Sequence, residues 1–120
     1  GLVVNSANLK LAVQRVSVLS DQTYGAVSLK LSPSVSAMTV SCVNVEAGEG
    51  EEQVDCTYHR QDELILGFNR QYLLDSLNSL SGDLDFVFPE IPNAPTLVYE
   101  QESNVLRRVV GIARLHLSAQ

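Results

Sequence analysis

Hydrophobic and polar positions follow a helical period in the segment FNRQYLLDSLNSLSG, which covers residues 68–82. Leu73, Leu77 and Leu80 recur at i, i+4 and i+7, so the pattern predicts an amphipathic helix with one apolar face. Asn69 is expected to cap the helix start, and Gly82 to stop the helix in a left-handed conformation. The apolar run LILGF directly before Asn69 is typical of a strand. The unit is therefore a strand that turns through an N-cap into a helix.

The start of the chain repeats this unit. An apolar run leads to the capping candidates Asn5 and Ser6 and then to a second helical stripe, made of Leu9, Ala12, Val13 and Val16. A shift of 64 residues superposes Asn5 on Asn69 and the first stripe on the second. This indicates an internal repeat; the alternative is a chance match, since leucine stripes are common.

Short strand candidates follow each predicted helix. They are AVSLKL, MTVSCVNV and QVDCTYHR after the first helix, and LDFVF, TLVYE and NVLRRVVGIARLHL after the second. Together with the strand before each helix, this order is βαβββ written twice, with half-repeats at about 3–63 and 64–117. The 120 residues thus predict one α+β domain over 1–120, with two helices on one face of antiparallel sheet.

The two cysteines are too few for a disulfide framework. A hairpin centred near Glu49 would place Cys42 and Cys56 opposite each other, so a bond is conceivable, although free cysteine is an ordinary small core residue. His59 follows Cys56 by three residues, and strand alternation predicts that the two side chains point to opposite faces. Neither a catalytic Cys–His pair nor a metal site is expected, and His116 is interpreted as a solvated tail residue.

The net charge of −6 argues against a free-standing nucleic-acid binder. Five acids lie within ten residues and form a block: Glu46, Glu49, Glu51, Glu52 and Asp55. Such a block is either a solvated loop tip or an ion-pairing patch for a basic partner.

The first helix carries basic residues and an unusual apolar pair. Lys10 and Arg15 flank its apolar stripe, while Leu11 and Val18 fall on the opposite face, which predicts exposure. Exposed apolar residues suggest a protein interface, unless a neighbouring loop covers them. No apolar run approaches the roughly 20 residues that a membrane span needs, so a soluble, cytoplasmic protein without a membrane partner is expected.

Several motifs together resemble one family. GFNRQYLLDSLNSLSGD, the spacing of NVEAGEGEEQVDCTY before it, the PNAP turn at Pro92–Pro95 and the ending VVGIARL resemble the C-terminal domain of the bacterial DNA polymerase III β subunit, the sliding clamp. The resemblance implies the DNA-clamp fold, with three such domains per subunit and two subunits that close head to tail around duplex DNA. It also implies a nucleoid-associated processivity factor without catalytic residues, cofactor or metal.

The resemblance assigns roles to particular residues. The head-to-tail contact would use Val18 and Leu19 at the end of the first helix, together with the loop glutamates Glu46, Glu49 and Glu52. This contact would also account for the exposed apolar face that carries Leu11. The inner helices would touch DNA phosphates without sequence preference, through Lys10 and Arg15.

The resemblance also implies a groove, shared with a preceding domain, for peptides of DNA polymerases, the clamp loader and repair proteins. Its residues here would be Asn69, Tyr72, Asn93, Pro95, Val109, Val110, Gly111, Ile112, Ala113, Arg114 and Leu115. The family usually ends in a segment resembling VMPMRL, so Gly111 and Ala113 make this wall smaller. Two alternatives are a stand-alone clamp-fold adaptor or decoy that binds replication proteins without encircling DNA, and a hydrolase that uses Cys56.

Overall fold

The computed structural model describes residues 2–18, 26–33, 36–42, 50–59, 61–88, 94–101, 109–112 and 114–115. The elements of the first half are β1 (Leu2–Asn5), α1 (Ser6–Val18), β2 (Ala26–Leu31), β3 (Ala37–Cys42) and β4 (Glu52–Tyr58). Those of the second half are β5 (Leu64–Asn69), α2 (Arg70–Ser79), β6 (Asp83–Val87), β7 (Thr96–Glu100), β8 (Val109–Ile112) and β9 (Arg114–Leu115). The predicted fold class, a duplicated βαβββ unit, is confirmed.

The described strands form one antiparallel sheet in the order β8-β7-β6-β1-β4-β3-β2-β5-β9. Each half contributes its first strand to the other half, because β1 pairs with β6 and β5 pairs with β2. The two helices also pack against each other. The halves therefore share one core, and neither half has a complete sheet without the other.

The predicted helical stripes are the buried faces of the helices. Leu9, Val13 and Leu73 are fully buried, and Leu77 and Leu80 nearly so. Burying each such side chain stabilises the fold by roughly 1.5–3 kcal/mol relative to an exposed position. The sheet supplies the other side of the core with alternate residues of its strands, including Val27, Leu29, Leu31, Met38, Val40, Leu84, Phe86 and Val98.

The end of α2 differs from the prediction. The helix ends at Ser79, and Leu80 already has an extended backbone, with φ −121° and ψ 158°. Gly82 does have a positive φ of 75°, but it lies in the turn into β6. There its carbonyl oxygen accepts a hydrogen bond of 2.9 Å from the backbone N–H of Ser6, at the start of α1. The glycine therefore shapes the turn between α2 and β6, which contacts the start of α1, and does not cap the helix directly.

The register between β3 and β4 also corrects a prediction. Met38 lies opposite Val54 and Val40 opposite Glu52, so the hairpin is centred near residue 46 and not near Glu49. Cys56 consequently lies opposite Val4 of β1, away from Cys42. Both cysteines are free, and the conceivable disulfide does not form.

The predicted last strand is two short strands with different partners. β8 pairs with β7 at one end of the strand order, and β9 pairs with β5 at the other end. One residue separates β8 from β9 in the chain, so the two ends of the sheet lie next to each other. β4 makes the same kind of crossing within one strand, since Glu52–Asp55 pair with β3 and Cys56–Tyr58 pair with β1. β8 and β9 together are thus the second-half counterpart of β4.

Candidate functional site

The start of α2 forms one corner of the predicted peptide groove. Asn69 is the N-cap, and its side-chain oxygen accepts a hydrogen bond of 3.1 Å from the backbone N–H of Tyr72. The cap fixes the first turn of the helix, and the Tyr72 side chain is 62% exposed. A large aromatic ring held at a rigid helix start is available to a ligand.

The backbone brings two more predicted groove segments to this corner. Thr96, directly after Pro95, pairs with Ile112. Two residues further along, Arg114 pairs with Phe68, the residue before Asn69. The segment 109–115 therefore crosses from the start of β7 to the start of α2. Two of the predicted groove residues, Asn93 and Ala113, lie outside the described residues.

The backbone register of β8 pairs two predicted groove residues with β7. Ile112 lies opposite Thr96, and Gly111 lies opposite Leu97. Thr96 and Val98 of β7 are both fully buried.

Thr96 was not predicted as a functional residue. Its hydroxyl oxygen is buried and has no hydrogen-bond partner among the described residues. An unpartnered buried hydroxyl destabilises the folded state. No sequence signal marks such a residue, because TLVYE is an ordinary strand pattern and only the packing decides which hydroxyl lacks a partner.

The second predicted surface lies where α1 approaches β4. Leu11 is 47% exposed, as the helical wheel predicts. It lines a shallow depression with residues of both elements, namely Asn8, Ala12, Arg15, Glu52, Gln53, Val54 and Asp55. Val18 is the last residue of α1, whereas Leu19, Glu46 and Glu49 lie outside the described residues.

One ion pair spans this depression. A nitrogen of the Arg15 guanidinium lies 3.3 Å from a carboxylate oxygen of Glu52. The prediction placed Arg15 toward DNA and Glu52 toward a partner subunit, but in this chain they contact each other. The sequence did not predict the pair, because the two residues are 37 positions apart and only the fold brings α1 beside β4. Lys10, the other predicted DNA-facing cation, is half-buried on α1.

The thiols are not arranged for nucleophilic chemistry. Burial raises the pKa of the Cys56 thiol, and the neighbouring Asp55 carboxylate raises it further. A nucleophilic cysteine needs the opposite shift. Cys42 is buried, and its sulfur lies 3.2 Å from the carbonyl oxygen of Val16, to which the thiol donates. The described residues contain no group of three potential metal ligands, and none of their helices is long and apolar enough to cross a membrane.

Comparison with known structures places the fold in a defined class. The chain superposes on the crystal structure of the beta sliding clamp of C. crescentus with a TM-score of 0.78 at 29% identity, covering 97% of this chain and 30% of that one. For a sliding clamp of Bartonella birtlesii the TM-score is 0.79 at 28% identity, with 97% and 32% covered. The fold is that of a sliding-clamp domain.

Sequence relatives agree with the structural match. The beta sliding clamp of Caulobacter vibrioides is 36% identical over 90 residues, which are 74% of this chain and 23% of the relative. That of Pseudomonas aeruginosa is 30% identical over 115 residues, 95% of this chain and 30% of the relative. The family model of the DNA polymerase III beta subunit, C-terminal domain, matches residues 1–111. The chain therefore belongs to the DNA polymerase III β subunit family and corresponds to its C-terminal domain, which confirms the resemblance. It spans less than a third of the length of these two relatives.

Proposed function

We propose that the chain is the third domain of a sliding-clamp subunit that dimerises head to tail, encircles duplex DNA and tethers replication enzymes to it. The observation that carries the proposal is the match of the C-terminal family model to residues 1–111. The fold adds support, because α1 and α2 lie side by side and present a common surface. Tethering needs a closed ring, so we assign the chain no catalytic step.

A topological assay tests this function on the full-length protein that contains the domain. A ring that encircles DNA stays on a closed circular plasmid through gel filtration in high salt and slides off once the plasmid is cut. A stand-alone adaptor or decoy with the clamp fold would be retained on neither form. The relatives and structural neighbours described above are themselves sliding clamps, so the adaptor is not the favoured alternative. Equal loss from circular and linear DNA would refute the ring.

The subunit joint is assigned to the face of α1 that carries Leu11 and to the start of β4. Leu11 offers exposed apolar area there, and Glu52 and Asp55 offer negative charge to a basic partner. Val18, Leu19, Glu46 and Glu49 extend the joint by family resemblance. Replacing Val18 and Leu19 by Ala should shift the full-length ring toward monomer, since each side chain contributes roughly 1–3 kcal/mol. An unchanged dimer at nanomolar concentration in analytical ultracentrifugation would exclude this joint.

The groove is assigned to the corner where the start of α2 meets the segment 109–115. An extended peptide with Gln and apolar anchors is the proposed ligand, and the replication polymerases, the clamp loader and repair proteins are its proposed sources. Tyr72 is the exposed anchor residue of this domain. Gly111 and Ala113 make the wall of this proposed groove smaller than the family's usual ending does.

Peptide titration tests the groove. Tyr72→Ala should weaken binding of a Gln- and Leu-containing peptide to the full-length protein at least tenfold, because the variant lacks the aromatic side chain that would be buried against the peptide. Asn78→Ala is the matched control, since Asn78 is also exposed on α2 but lies nearly two turns away. Equal binding by the two variants would place the peptide site elsewhere.

DNA contact is assigned to Lys10. The contact would go through phosphates and would be sequence-independent, so Lys10→Gln should reduce the salt dependence of DNA binding by about one counterion per subunit. A location on the nucleoid follows from this function and is part of the proposal.

A further inference from the structure

We infer that Arg15 is a positioning residue of the subunit joint and not a DNA contact. The inference rests on the proposed ring and deepens it, because it assigns a basic residue of the inner helix to assembly.

The Arg15 side chain extends from α1 toward β4. Arg15 reaches across the depression to Glu52, at 3.3 Å, so its charge is directed toward β4. Lys10 lies five residues earlier on the same helix. At about 100° per residue the two cations are about 140° apart around the axis. The two residues therefore lie on different sides of α1 and do not face one DNA surface together. The ion pair with Glu52 shows that Arg15 is the one directed toward β4.

The residues that surround Arg15 in the depression also favour a role in the subunit joint. Arg15 lies one turn from Leu11 and Ala12, on the side of α1 that faces Glu52–Asp55 of β4. Among the described strands, β1 pairs only with Cys56–Tyr58 of β4, so the edge of Glu52–Asp55 on that side has no strand partner. An exposed leucine, an ion pair and an unpaired strand segment adjoin one another here. The proposed occupant is the second subunit of the ring.

The Arg15–Glu52 ion pair orders the surface of the joint in the free subunit. It fixes the Glu52 carboxylate against α1 before the partner arrives, which reduces the ordering cost of association. It also offsets one charge in a region rich in acids. Without Arg15, the Glu52 carboxylate would be free to rotate, and the partner subunit would have to order it on binding.

The experiment compares substitutions in the full-length dimer without DNA. Arg15→Gln and Glu52→Gln should each speed subunit dissociation, measured by energy transfer between labelled subunits, by about two- to fivefold. The double variant Arg15→Gln with Glu52→Gln should dissociate no faster than the faster single variant, because both changes break the same contact. Lys10→Gln, with the same charge change on the same helix, should leave dissociation unchanged and should alter only the salt dependence of DNA binding.

The outcomes separate this inference from the proposed function. If Leu11→Ala speeds dissociation but Arg15→Gln does not, the joint is correct and the role of Arg15 is refuted. If neither variant changes dissociation, the joint itself is refuted. If Arg15→Gln changes only the salt dependence of DNA binding, as Lys10→Gln does, Arg15 is a DNA contact and the inference is overturned. Faster dissociation of each single variant, with no further increase in the double variant, supports it.

Discussion

Asn5 and Asn69 occupy the same place in the two halves of the fold. The side-chain oxygen of each accepts a hydrogen bond of 3.1 Å from the backbone N–H three residues later, Asn8 in α1 and Tyr72 in α2. The surroundings differ at one point, because Asn5 also donates from its side-chain nitrogen to the Asp83 carboxylate at 3.3 Å. One repeated residue thus performs the same capping task with two different neighbours.

Because only Asn5 contacts Asp83, we expect substitution by aspartate to destabilise the fold at position 5 and not at position 69. Asn69→Asp keeps a capping oxygen and should leave the free energy of unfolding nearly unchanged, whereas Asn5→Asp places a carboxylate beside Asp83 and should lower it by about 1 kcal/mol. Urea unfolding at pH 7 measures both. Equal penalties at the two positions would contradict this account.

The core and the exposed face of α1 should respond differently to truncation. Leu9→Ala and Leu73→Ala, at equivalent positions of the two helices, should each lower the free energy of unfolding by about 2–5 kcal/mol, because both side chains are fully buried. Leu11→Ala should lower it by less than about 0.5 kcal/mol. Urea unfolding of the three variants is the measurement. A large penalty at Leu11 would mean that this residue is part of the core and not of an interface.

The apolar stripes made the helices and the duplication predictable, because the buried face of a helix repeats every three to four residues regardless of which element packs against it. The register of β3 against β4 was not predictable in this way. Cys42 and Cys56 flank the EAGEGEE segment evenly, but the structure centres the hairpin three residues earlier and places Met38 opposite Val54. Loop composition alone does not fix strand register.

The candidate sites likewise contain residues that the sequence predicts and residues that it does not. Tyr72 and Leu11 were predictable as exposed residues, since helix geometry determines which face a residue occupies. The contact of Arg15 with Glu52 and the buried hydroxyl of Thr96 depend on which strands and helices become neighbours. Helical and strand periods carry no information on such long-range contacts.

The unpartnered hydroxyl of Thr96 predicts a stabilising substitution. Thr96→Val removes a buried polar group at nearly constant volume and should raise the free energy of unfolding by up to about 1 kcal/mol. Thr39→Val is the control, because the hydroxyl of Thr39 accepts a hydrogen bond of 2.8 Å from the Gln53 side chain. The control should be neutral or destabilising. Destabilisation by Thr96→Val would show that the hydroxyl has a bonding partner.

The Cys56 thiol predicts how stability depends on alkaline pH. Burial and the nearby Asp55 raise the pKa of this thiol in the folded state, so folding favours its protonated form. Its contribution to stability is therefore fully present below the unfolded-state pKa, about 8.5, and is lost as the pH rises through the folded-state pKa. The free energy of unfolding should fall more steeply above about pH 8.5 for the wild type than for Cys56→Ser, which carries no thiol at that position. Urea titrations between neutral and alkaline pH measure the two slopes. Parallel curves would show that Cys56 has the same affinity for its proton in the folded and unfolded chain, and would also remove the physical argument against a reactive thiol.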